Sequence, residues 1–252
     1  MVAIQYWRGD EGRALRLARA LEAIEMRPRR DMVTVALCRR FDMPDPSPAA
    51  WAAREILGRK FGTLMIRSAR EGVGHPAGAN ALWSGAFEKL AQLWETGGIQ
   101  ASSVMFVEAD GCPLRPDWID LVRREHDRGL ARGCRMTGTL MNDVPHINGT
   151  LISSISVWRD RQSLHQTPDD QAWDVFHRHA IMQEAMVSPI VMNAYGAGRW
   201  SDEALIGASR QSAWLTSTKD DSAIEWAERV LPVRAAAEAA ELEARRASPW
   251  DQ

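Results

Sequence analysis

Apolar and polar positions in this chain keep two rhythms. Over the first 110 residues, short apolar runs alternate with stretches of helical spacing. Val2–Tyr6 reads as a strand, turned by Arg8-Gly9-Asp10, with Asp10 placed to cap a helix on which Ala14, Leu17, Leu21 and Ile24 recur. After an Arg27–Asp31 loop, valine-rich Met32–Cys38 reads as a second strand ending in Arg39-Arg40-Phe41-Asp42. The turn-forming MPDPSP at 43–48 precedes a predicted helix over 48–60 and a third strand over 63–67. A glycine-rich loop, Glu71–Asn80, then runs straight into a helix carrying Leu82, Ala86, Leu90 and Leu93 on one face. The apolar run Val104–Val107 closes the series as a buried strand. The order is βαβαβαβ, which predicts a parallel sheet with helices on both faces.

The fourth strand is followed directly by Glu108 and Asp110. Side chains alternate along a strand, so both carboxylates are expected to leave the sheet's carboxyl edge on one side. Gly111 and Pro113 break the strand, and Asp117 is positioned as the N-cap of a helix over 118–128, with Asp120 in its first turn. Ligands of such sheets bind at the carboxyl ends of the strands. Tyr6–Asp10, Arg39–Asp42, Arg67–Arg70, Gly74–Asn80 and the acidic pair all fall at that edge. Two acids so close together suit a hard divalent cation that carries phosphate oxygens, whereas a bare E-x-D is also an ordinary acidic loop. The loop's glycines permit close backbone approach, and the helix behind it offers N–H groups to an anion. It is neither the P-loop pattern nor the dinucleotide-binding G-x-G-x-x-G.

Past residue 130 the rhythm changes. Arg135–Leu140 and Ile147–Trp158 are β-branched and read as strands; 163–170 is polar and irregular. Asp170–Met186 reads as a helix with Trp173, Phe176, Ala180 and Met186 inward. A short strand over 190–195, a turn at 196–198, a helix over 222–231 and an Ala/Glu/Arg arm over 233–247 complete the chain.

Composition adds a few limits. With 252 residues, 45% apolar and 25% charged, the chain suits one large globular domain; net charge is −2, with arginines scattered in local pairs. No apolar run approaches the roughly 20 residues of a membrane span. Three cysteines and an opening without signal-peptide character read as a reduced, cytoplasmic protein. Eleven tryptophans are many for this length, enough for the core and for a sugar or base site.

Taken together, the βαβαβαβ order, the glycine-rich loop Gly74-His75-Pro76-Ala77-Gly78-Ala79-Asn80 and Glu108-Ala109-Asp110 resemble the nucleotide-sugar half of a GT-A, family-2-like glycosyltransferase. The resemblance implies an α/β, Rossmann-like, mostly parallel sheet flanked by helices, with a mixed α+β acceptor half. The nucleotide-sugar half spans 1–130, the acceptor half 131–232, and a C-terminal helix and tail 233–252. It implies a UDP-sugar donor held by Tyr6, Trp7, Gly9, Asp10, Arg40, Asp42, Gly78, Asn80 and Glu108, and Mn2+ or Mg2+ on Asp110 with Glu108. The family's late metal-binding His has no counterpart, since no His follows His179; Lys219, in Thr216–Asp220, is the cation available to the leaving diphosphate. An inverting enzyme needs a carboxylate base, for which Asp174 fits best, with Asp169, Asp170 and Asp143 as rivals; a retaining one needs none. His146 and Asn148 sit where an acceptor or donor-sugar loop is expected.

Gly74–Leu82 and Lys219–Ala223 also resemble small glycosyltransferases of tailed bacteriophages, which implies UDP-glucose as donor and 5-hydroxymethylcytosine in duplex DNA as acceptor. The alternatives are a protein or surface-glycan acceptor, a nucleotidyltransferase, and a catalytically silent binding module.

Overall fold

The structure is a computed structural model that describes residues 1–141, 144–194, 198–216 and 220–247. Asp143, Tyr195 and Lys219, and with them the predicted 196–198 turn, lie wholly or partly outside these residues.

The first half follows the predicted order: β1 (Val2–Tyr6), α1 (Glu11–Ile24), β2 (Thr34–Arg39), α2 (Pro48–Leu57), β3 (Gly62–Arg67), α3 (Ala77–Glu95) and β4 (Ser103–Glu108). The second half is assembled from shorter pieces: β5 (Cys112–Pro113), α4 (Trp118–Leu130), β6 (Met136–Gly138), β7 (Leu140–Met141), β8 (His146–Ile147), β9 (Ile152–Ser154), α5 (Ser156–Asp160), α6 (Trp173–Phe176), α7 (Arg178–Glu184), β10 (Ala185–Val187), β11 (Val191–Asn193), α8 (Asp202–Ser209), β12 (Trp214–Thr216) and α9 (Ser222–Ala247).

Seven strands form one sheet in the order β10-β6-β9-β4-β1-β2-β3. β1 pairs in parallel with both β2 and β4, so the chain leaves β1 in opposite directions and opens a crevice between their carboxyl ends. β9 is antiparallel to both β4 and β6, and β10 is parallel to β6. β11, β12 and β5 form a small second sheet behind the loop after β4.

Strand alternation divides the core in two. Val2, Ile4 and Tyr6 with Met105, Val107 and Ala109 face α1, α4, α8 and α9. Ala3 with Val104 and Phe106 faces α3, α5, α6 and α7. On that second face Trp83 of α3 stacks on Trp173 at 3.5 Å and lies 4.8 Å from Phe106, joining β4, α3 and α6.

Several local expectations are corrected. The 147–158 strand ends early: β9 holds three residues, Ile155 N–H bonds back to Ser102, and 156–160 turns helical as Trp158 packs on Phe87. The 170–186 helix is interrupted at His177 and gives way to β10, leaving Phe176 39% exposed. Asp117 precedes α4 but makes no side-chain cap, because Arg115 holds its carboxylate. Asp10 likewise makes no cap bond. The two C-terminal helices are one, α9, with Pro232 inside it, so the boundary expected at 232/233 falls within a helix.

Candidate active site

Ala109 N–H bonds to Gln5 carbonyl at 3.1 Å, which carries the β1–β4 ladder one residue past the strand. Gly111 N–H then closes a tight turn onto Glu108 carbonyl at 3.0 Å. Ala109 is buried, whereas Glu108 is exposed and Asp110 half-buried. Glu108, the last residue of β4, shares the face of Val104 and Phe106 and so leaves the sheet on the α3 side; Asp110 lies in the turn that follows, with Oδ1 buried. Trp214 closes the loop from behind: a Cβ on Gly111 would meet its indole nitrogen at 2.7 Å.

The loop after β1 presents Trp7, 48% exposed. Its indole folds back over Gly9, where a Cβ would sit 2.4 Å from the ring, so only glycine permits this pose. The Arg40 guanidinium lies 5.6 Å from the ring centroid and is clamped by both oxygens of Asp42, at 2.8 and 2.6 Å. That bond holds the Asp42 carboxyl below the usual carboxylate range. Arg40 also borders Gly78, where a Cβ would meet its Nη1 at 3.2 Å. Trp7, Arg40, Asp42 and Gly78 therefore meet at one corner of the crevice.

Two expected contacts lie elsewhere. Tyr6 is 1% exposed and belongs to the α1-side core, where burial pushes its hydroxyl up to about 12; only its backbone reaches the edge. Asn80 is also buried, with its amide fully engaged by the second half. Its Nδ2 donates to Gln171 carbonyl at 2.8 Å and its Oδ1 accepts Trp173 N–H at 2.9 Å. The glycine-rich loop itself folds onto α3. Gly74, at φ +74, accepts Gly78 N–H at 2.7 Å, so one of the free donors at the start of α3 is already bound, while Asn80 N–H makes the helix's first regular bond to Pro76 carbonyl.

The structure brings the two expected catalytic side chains together. Asp174 Oδ2 accepts Gly149 N–H at 2.9 Å, and Oδ1 accepts Val175 N–H at 3.0 Å. His146 Nε2 stands 3.6 Å from Asp174 Oδ2, while its Nδ1 lies 2.5 Å from Val144 carbonyl and donates to it. Trp83 donates to Gly149 carbonyl at 3.3 Å, so α3 carries the Asp174 loop as well as the glycine-rich loop. Asp169 and Asp170, the rival acids, are exposed. His177 is buried against Thr167, and His179 is exposed.

One residue at the edge was not foreseen. Gln5 is paired in register with Glu108, is 7% exposed, and its amide nitrogen is buried with no hydrogen-bond partner among the described residues. The signal was available: it is the one polar residue in an otherwise apolar strand.

As donors for a metal, the Glu108 and Asp110 carboxylates are hard oxygen ligands on a single turn, which suits Mg2+ or Mn2+ completed by ligand oxygens and water. Among the described residues no group of three or more His, Cys, Asp or Glu side chains could hold a metal by itself.

No protein-family model and no curated protein matches the chain. Solved structures do. The bifunctional glycosyltransferase WbbM superposes with a TM-score of 0.55 at 9% identity, over 87% of this chain and 45% of that one. Galactosyltransferase LgtC, in complex with donor and acceptor sugar analogs, gives 0.52 at 12% identity, over 94% of this chain and 95% of that one. S. aureus TarS 1–349 in complex with UDP-GlcNAc gives 0.51 at 11% identity, over 89% and 60%. The fold is GT-A-like: a mostly parallel seven-stranded sheet flanked by helices.

Proposed function

We propose that the chain is a nucleotide-sugar-dependent glycosyltransferase that moves a hexose from a UDP-sugar to an acceptor hydroxyl. The observation that carries this reading is the convergence at the β1/β4 crevice of an exposed aromatic platform, a clamped arginine and two carboxylates on one turn. Solved glycosyltransferases of the same fold support it, one of them bound to UDP-GlcNAc.

In this reading the uracil lies against Trp7, whose pose is fixed by Gly9 and Arg40. Asp10 and Asp42 line the nucleoside's side of the crevice. Glu108 and Asp110 would hold Mg2+ or Mn2+, which when bound neutralises the diphosphate and eases its departure. Asp174 accepts the proton of the acceptor hydroxyl. Its carboxylate is fixed by the Gly149 and Val175 N–H groups, and His146 Nε2 faces the same oxygen. With His146 Nδ1–H committed to Val144, Nε2 is the nitrogen left to share the incoming proton with Asp174. Lys219, outside the described residues, is the proposed cation for the leaving diphosphate.

For the acceptor we favour a hydroxymethylated pyrimidine, 5-hydroxymethylcytosine in duplex DNA, on the resemblance carried by residues 74–82 and 219–223. The test is incubation with UDP-glucose, Mg2+ or Mn2+, and duplex DNA with or without 5-hydroxymethylcytosine, followed by digestion and mass measurement of the nucleosides. A hexose added only to the hydroxymethylated base is the expected result. UDP release without a change in DNA mass would move the acceptor to a protein or glycan.

A further inference from the structure

Along the exposed face of α2 and past its C-terminus lies an open groove of about 530 Å³. Trp51, Arg54, Glu55 and Gly58 follow one another at i, i+3, i+4 and i+7, one face of the helix and its C-cap. Arg30, Arg59 and Thr63 form the facing wall. Gly58 has no side chain to fill the space between the Arg54 carbonyl and the Thr63 methyl, which leaves the floor open. Trp51 is 49% exposed, and the Arg54 guanidinium stands 5.3 Å from its ring centroid. Arg30 donates to the Arg59 backbone carbonyl at 3.2 Å, which holds the Arg30 guanidinium beside the end of α2. Among the described residues none of the three arginines is ion-paired, and Glu55 is the one acid in the lining. The α2 dipole favours one cation at its end but does not account for three beside an exposed indole.

Unpaired guanidiniums around a half-exposed indole are the chemistry that recognises phosphate and base together. We infer that this groove is a nucleic-acid docking site, in which Arg30, Arg54 and Arg59 contact backbone phosphates and Trp51 stacks a base. Its lining runs along the ten-residue, roughly 15 Å helix from Trp51 in the first turn, which follows the loop leaving β2, to Gly58 at the C-cap. A polymer held here can therefore present a residue further along to the crevice. The inference rests on the DNA-acceptor reading, with the base on Trp51 coming from a single-stranded or unpaired stretch next to the modified duplex; its test reads binding and not transfer, so the two can fail separately.

The experiment is fluorescence anisotropy of a short labelled oligothymidylate, titrated with the full chain across a range of salt. Three phosphate contacts predict that log K falls with log salt at a slope of about −2. Trp51→Ala is expected to weaken binding roughly 5- to 100-fold, and the Arg54→Ala, Arg59→Ala pair to flatten the slope by about 1.4. Both variants should keep the parent's far-UV spectrum and UDP-sugar hydrolysis, since these side chains are exposed and none belongs to the proposed donor or acceptor site. Binding indifferent to all three substitutions, or no binding at low salt, overturns the inference. Base-free polyphosphate bound as tightly as the oligonucleotide, and equally well by Trp51→Ala, also overturns it and makes the groove a general polyanion site.

Discussion

Replacing Asn80 tests whether α3 positions the proposed base. Asn80→Ala removes the acceptor for Trp173 N–H, in buried surroundings, and the donor to Gln171 carbonyl, in partly buried ones. The buried Trp173 N–H costs about 1–3 kcal/mol when stranded and the partly buried Gln171 carbonyl about the 0.5–1 of one lost bond, so the variant should lose about 2–3 kcal/mol of stability. With a urea m-value of about 3 kcal/mol/M, the midpoint falls by roughly 0.7–1 M. Asp174 follows Trp173 directly, so loss of the anchor loosens the backbone that carries the carboxylate even while Gly149 N–H still holds it; a displacement near 1 Å is enough to lower kcat about 100-fold with little change in donor KM. Asn80→Asp sharpens the test. It keeps the acceptor for Trp173 but must be protonated to donate to Gln171 carbonyl, so its folded pKa is raised above the unfolded value of about 3.9. The native state then binds a proton that the unfolded state has lost, and stability falls as pH rises through and above that value. Urea melts at several pH values read this directly. A midpoint for Asn80→Ala within 0.2 M of the parent's, about the scatter of such melts, or an Asn80→Asp variant with the parent's pH profile, would refute the reasoning.

Other outcomes follow from the same contacts. Trp7→Ala should weaken UDP binding roughly 5- to 100-fold by calorimetry without altering the melt, because the ring is half exposed. Asp174→Asn should lower kcat about 100- to 10,000-fold at unchanged donor affinity if the enzyme inverts; a retained rate assigns the base elsewhere or makes the enzyme retaining. His126 is buried between Thr137 and Ser103 hydroxyls, at 3.2 and 3.1 Å, and burial lowers its pKa to about 4. Its folded pKa lies below the unfolded 6.5, so its environment costs nothing above pH 6.5 and destabilises progressively as pH falls toward 4, by about 3 kcal/mol. His126→Gln should flatten that part of the stability–pH curve in urea melts.

The first half was legible because each of its elements is long enough to carry its own period. β1, β2, β3 and β4 hold five or six residues each, and their alternation sets Glu108 on the α3 face before any contact is known; Asp110, in the turn beyond the strand, lies past the reach of that rule. The second half was not legible in the same way. β6, β9, β10, β11 and β12 hold three residues each, too few for a period, and exist because a partner strand is beside them. α8 and β12 were missed altogether, and the spacing of Trp173, Phe176 and Ala180 suggested one helix where the chain makes two and a strand. Long-range roles were also hidden. Nothing local in Asn80 shows that it ties α3 to Trp173, and nothing local in Tyr6 shows that it turns away from the crevice. The pairing of His146 with Asp174 became visible only once Gly149 N–H was seen to hold the carboxylate.

The most direct test of the central claim is UDP release from UDP-glucose and related UDP-sugars, by the parent and by Asp110→Asn and Glu108→Gln, with Mg2+ or Mn2+ present. The account predicts saturable release by the parent and a loss of about 100-fold or more in Asp110→Asn, with far-UV spectra and melts unchanged. No release from any UDP-sugar tried, or release by Asp110→Asn at the parent's rate, would contradict it.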